Sequence, residues 1–128
     1  MPTLTSYLLV GAGGFLGAIA RYVVTLGVSN AVRSPFPFAT FLINVSGSFL
    51  IGVIGVLVAR RMTASPEAVR LALAVGFLGA FTTFSAFEAE TDWMLRDGRW
   101  GLGLGYVTAS VVAGLLAVRA GAAIGNAL

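Results

Sequence analysis

Apolar residues run in four stretches long enough to cross a membrane, at about residues 4–28, 38–59, 68–94 and 101–118. Three short interruptions carry turn chemistry. Residues 30–37, NAVRSPFP, place Pro35 and Pro37 where a helix cannot continue, and Ser34 where its hydroxyl can bond local backbone. Residues 60–67 begin with Arg60 and Arg61 and end on Ser65-Pro66-Glu67. That ending reads as a helix start, with an N-cap hydroxyl, a proline in the first turn and an acid at the positive end of the helix dipole. Asp97-Gly98 supplies the third turn, between Trp93 and Trp100, which suit an interfacial aromatic belt. The pattern predicts an all-α integral membrane protein, a single four-span domain over residues 1–128.

Polar side chains inside the spans change the picture. In the second span Thr40, Asn44 and Ser48 recur every four positions and form one stripe, with Ser46 off it. Such a stripe serves either as glue between helices or as a row of neutral donors that replaces an anion's hydration without trapping it. In the third span residues 71–80 read as ordinary apolar helix, but Gly79, Thr82, Thr83 and Ser85 weaken the ladder, and their hydroxyls compete for its backbone groups. A break is predicted there, buried between protein helices, where freed carbonyls can hold a cation such as Na⁺. Phe77, Phe81, Phe84 and Phe87 flank it, either as core or as ring edges whose partial positive charge faces a small anion. Gly13 and Gly17 in the first span, and Gly101, Gly105, Ala109 and Ala113 in the fourth, have the small-residue spacing of close helix packing. Tyr106 and Ser110 form a further polar stripe, and Arg21 falls near the far interface of the first span.

Composition agrees and excludes much. With 58% hydrophobic and 10% charged residues the chain belongs in a membrane, and its length leaves no room for a catalytic domain outside it. There is no Cys or His, hence no disulfide, thiolate or imidazole chemistry. All five carboxylates lie near span ends or in loops, and no nucleophile has a candidate base, so an enzyme is not expected. The eight arginines are scattered rather than clustered, which argues against nucleic acid. Residues 1–7 lack the positive charge of a signal peptide, although Ala18-Ile19-Ala20 imitates a cleavage site. Arg60, Arg61, Arg70 and Arg119 fall on the side of both termini, and Arg21, Arg33, Arg96 and Arg99 on the other. A four-to-four tie predicts insertion in both orientations, and so an antiparallel homodimer with the polar stripes at its interface.

Three blocks in order, GGFLGAIARY at residues 13–22, NVSGSF at 44–49 and GFLGAFTTFSAF at 76–87, resemble the Fluc/CrcB fluoride channels, across nearly the whole chain. The resemblance implies a dual-topology dimer in the cell inner membrane with two pores passing fluoride. Asn44 is similar to that family's pore-lining amide, and Phe84 and Phe87 to the phenylalanines whose edges line the path. Thr40, Ser85, Tyr106 and Ser110 match hydroxyls beside it, Glu90 an acid near a pore mouth, and Arg21 the vestibule arginine. The backbone carbonyls of Gly79 and Thr82 match those that cage a central Na⁺ between subunits. Two positions depart from the pattern: Ala86 and Gly114 stand where members commonly carry hydroxyls.

The expected function is passive export of fluoride, the partners being fluoride, the lipid bilayer and a second copy of the chain. One alternative is a small dual-topology proton-coupled multidrug exporter, which needs an acid within the membrane; the first span has none, and Glu88 and Glu90 sit near a span end. A purely structural helical module would explain the small-residue ridges but not the TTFS segment.

Overall fold

A computed structural model describes residues 2–128; Met1, the first residue of the expected domain, lies outside the described residues. Four helical segments are long and apolar enough to cross a membrane: Leu4–Ala31, Phe38–Ala59, Pro66–Arg96 and Trp100–Ala127. Helix α1 (Leu4–Ala31) opens on a capping box, in which Thr3 Oγ1 accepts from the Ser6 amide at 3.3 Å and Ser6 Oγ accepts from the Thr3 amide at 3.4 Å. It continues past residue 28 because Ser29-Asn30-Ala31 tolerates helix and the prolines come later. Ser34 Oγ then accepts from the Phe36 amide at 3.2 Å, closing the turn into α2 (Phe38–Ala59). The last helix, α6 (Trp100–Ala127), outruns the expected end at 118, since the small residues after Arg119 continue the helix. Arg60 Nη1 donates to the Asn126 carbonyl at 3.0 Å, tying the end of α2 to a helix terminus rich in unpaired carbonyls.

The third span is composite. A short α3 (Pro66–Val69) leads into a π-helix, Arg70–Leu78, then α4 (Gly79–Phe81), and α5 (Phe84–Arg96) resumes after two extended residues. Ser65 stands at the N-cap position but makes no capping bond, and Glu67 instead pairs with Arg70 at 2.8 Å. The stretch 71–80 is therefore not ordinary α-helix. Its wider winding lies along α1 where glycines bring backbone against backbone. A Cβ at Gly13 would overlap the Ala72 carbonyl and one at Gly17 the Phe77 carbonyl, while one at Gly76 would stand 2.7 Å from the Val10 carbonyl oxygen.

The most extensive pairing is α2 on α6, where Gly52 meets the Val118 carbonyl and Gly121 the Phe49 carbonyl just as closely. Among the described residues nothing lies within 4 Å of where a Cβ on Gly101 or Gly105 would stand. The contacts of α6 fall instead on Gly103, Gly121 and Gly125, which share the face turned toward its neighbours. Two small clusters form the interior: Ile43, Leu78 and Phe81 before the break, and Phe87, Met94 and Tyr106 after it. Large side chains such as Leu8, Phe15 and Leu116 point outward, as lipid contact requires.

Candidate functional site

The break in the third span is held open by one side chain from α2. Thr82 (φ −76°, ψ 158°) and Thr83 (φ −148°, ψ 119°) are extended. The Asn44 carboxamide bonds the Thr83 backbone from both ends: Nδ2 donates to the Thr83 carbonyl at 3.0 Å, and Oδ1 accepts from the Thr83 amide at 2.8 Å. Asparagine suits this, offering donor and acceptor from one planar group. Each hydroxyl also finds work. Thr82 Oγ1 donates back to the Leu78 carbonyl at 2.8 Å, and Thr83 Oγ1 caps α5 by accepting from the Ala86 amide at 3.2 Å.

These bonds have a consequence for two carbonyls. In an unbroken helix the Thr83 amide would donate to Gly79 and the Ala86 amide to Thr82. Here the first turns to Asn44 and the second to the Thr83 hydroxyl. Among the described residues no backbone amide returns to either carbonyl across the break. Gly79 and Thr82 thus line, with Asn44, Ser48 and Phe84, an open cavity of about 360 Å³. Two unpartnered carbonyl oxygens are the donor type a hard cation takes.

A second node forms one and a half turns into α5. Glu90 receives two hydroxyls, Thr40 Oγ1 at 2.6 Å on Oε1 and Tyr106 Oη at 2.7 Å on Oε2, so three spans converge on one carboxylate. Tyr106 is fully buried at 0% exposure, with Phe87 at 5.0 Å and Phe36 edge-on at 5.3 Å between ring centroids. Ser110 Oγ, one turn along α6, is buried without a hydrogen-bond partner among the described residues.

The predicted stripe of α2 divides its work: Thr40 serves Glu90, Asn44 serves the break, and Ser48 lines the open cavity. Ser48 Oγ also lies 3.5 Å from where a Cβ on Gly114 would stand, so a hydroxyl already occupies the neighbourhood that Gly114 leaves bare. Arg21 and Ser85 share a cavity of about 540 Å³ with Thr40, Thr83 and Glu90. Phe84 is apart from its partner in burial, 74% exposed against 8% for Phe87, although their rings are 6.0 Å apart. Sequence reasoning missed Thr83 as the partner of Asn44 and Phe36 as the ring seated on Tyr106. The first was hidden among three neighbouring hydroxyls, and the second sits in a turn whose signals, Pro35, Pro37 and Ser34, say nothing of Phe36.

Comparison with known proteins identifies the family. The family model described as CrcB-like protein, Camphor Resistance (CrcB) matches residues 8–122. Among curated relatives, a protein of Chlorobium luteolum named Fluoride-specific ion channel FluC is 50% identical over 117 residues, covering 91% of this chain and 88% of its own. Proteins of the same name from Rhizobium meliloti (46% over 121 residues; 94% and 96% covered) and Chlorobaculum tepidum (48% over 118 residues; 92% of each) are similarly close. With four apolar spans and a family match over almost its whole length, this multi-pass membrane chain belongs to the CrcB family.

Proposed function

We propose that the protein is a passive fluoride-selective channel that exports fluoride across the cell inner membrane, transforming nothing chemically. The observation that carries the reading is the polar seam through an otherwise apolar fold: Asn44 bonds Thr83, Ser85 shares a cavity with Thr40 and Glu90, Tyr106 bonds Glu90, Ser110 is buried one turn further along α6, and the rings of Phe84 and Phe87 stand 6.0 Å apart on the same broken span. The names of the relatives supply the ion. Within the seam the second Nδ2 hydrogen of Asn44, the Ser85 and Ser110 hydroxyls and the ring edges offer weak, neutral contacts in sequence. Neutral contacts let an anion enter without being retained.

The working form is an antiparallel homodimer with two pores at its interface. The tie in arginines supports it, and so does Phe84, a large ring left on the surface beside the open carbonyls. In that dimer the Gly79 and Thr82 carbonyls would hold Na⁺, which would supply a fixed positive charge at the subunit boundary. Arg21 raises the local anion concentration near the mouth.

The test is efflux from liposomes carrying purified protein. Fast fluoride efflux with chloride retained, weakened by Asn44→Ala and by Phe84→Ile, is the expected result. No fluoride efflux from a folded dimer, or equal chloride efflux, would overturn the reading.

A further inference from the structure

Arg21, Arg33, Arg96 and Arg99 lie toward the end of the molecule where Glu90 lies, and half of that charge is neutralised nearby. Arg96 pairs with Asp92 at 2.9 Å, and Arg99 with Asp97 at 2.8 Å while lying over the Trp93 ring. Among the described residues Arg21 and Arg33 have no carboxylate within 4.0 Å. Arg21 belongs to the cavity already described. Arg33, exposed on the turn between α1 and α2, lines a different one of about 470 Å³ with Ser29 and Ser34. The two cavities share Thr25, Thr40 and Glu90, so Glu90 is the point where an outer and an inner chamber meet. Glu88 lines neither.

This raises an electrostatic problem for an anion path. Glu90 already holds the hydroxyls of Thr40 and Tyr106, and its acceptor oxygens at the junction offer no attraction to a small anion approaching from outside. We propose that Arg33 forms an outer anion-collecting site for the pore, offsetting Glu90 and concentrating small hydrated anions in the 470 Å³ chamber before they reach Thr40. The inference rests on the channel reading above and adds a residue and a chamber to it. Arg33 acts through its field, because it is exposed, solvated and on a turn. It therefore sets the supply of anion and leaves selectivity to the seam.

The experiment is fluoride flux through the full-length protein in liposomes at low fluoride, comparing about 10 mM with about 1 M total salt, where the Debye length falls from about 30 Å to about 3 Å. Arg33→Gln is expected to reduce flux at least about threefold at low salt and not at all at high salt. Arg33→Lys keeps the wild-type flux at both, and Arg119→Gln, outside both chambers, changes neither. Ser29→Arg, which adds a charge to the same chamber, raises low-salt flux and remains informative should Arg33→Gln fail to fold. Equal flux for Arg33→Gln and wild type at low salt would overturn the proposal. So would a deficit that persists at high salt, a loss in Arg33→Lys as large as in Arg33→Gln, or no rise in Ser29→Arg. Those outcomes leave a wild-type channel intact, whereas a wild-type protein that passes no fluoride overturns the channel reading and this inference with it.

Discussion

Before its break, the third span lies on α1 backbone against backbone, because Gly13, Gly17 and Gly76 put no side chain between them. After the break, α5 reaches its neighbours through side chains: Asn44 at Thr83, Thr40 and Tyr106 at Glu90, and Phe87 and Met94 in the cluster with Tyr106. Backbone contact fixes distance and tolerates no added atom, while side-chain contact tolerates exchange and is open to tuning. The first half is the anchor, and the second is held by side-chain hydrogen bonds and aromatic packing. Substitutions on either side of residues 82–83 should therefore fail in different ways.

The largest effect is expected in the anchor. Gly17→Leu drives a branched side chain into the Phe77 carbonyl and costs upwards of about 3 kcal/mol. Equilibrium unfolding in detergent should show it, and a well-folded variant would mean that the two helices can separate without penalty. Asn44→Leu comes next. It leaves the Thr83 amide and carbonyl unpaired at membrane depth, a loss of about 2–3 kcal/mol, and flux falls with stability. Tyr106→Phe keeps the buried ring and removes one hydroxyl from Glu90; unfolding should shift by about 1 kcal/mol, with the aromatic cluster intact in near-UV dichroism. Phe84→Ile has the smallest effect on the fold of a single chain, within about 0.5 kcal/mol, because the ring is 74% exposed. Its flux should still drop at least about tenfold, a barrier change of about 1.4 kcal/mol. If Phe84→Ile were destabilised as strongly as Gly17→Leu, the contrast between the halves would collapse.

The spans, their order and the broken third helix were legible because hydrophobic length and glycine, threonine and serine preferences are local properties. The π-helix was not. Apart from Val75 and Gly76, RLALAVGFL consists of residues that accept α-winding, nothing in it specifies the wider turn, and that turn accompanies contact with α1 some sixty residues earlier in the chain. Gly13 and Gly17 pointed correctly to close packing, whereas Gly101 and Gly105 have the same spacing and meet nothing within 4 Å among the described residues of one subunit. Spacing reports which residues share a face, but not what that face meets. The Glu90 node was out of reach of periodicity for a similar reason, since Thr40 lies 50 positions from Glu90 along the chain. Resemblance to a family picked out both residues, and the fold explains how they come together.

The pairing of Asn44 with Thr83 also bears on how the chain is made. A third span presented alone to lipid would carry the Thr83 amide and carbonyl bare, and hydrocarbon has no group to offer them. The amide that satisfies both sits 39 residues earlier, so synthesis from the N-terminus delivers it to the membrane first. The order of the two spans in the sequence lets the irregular one arrive beside a partner already in place.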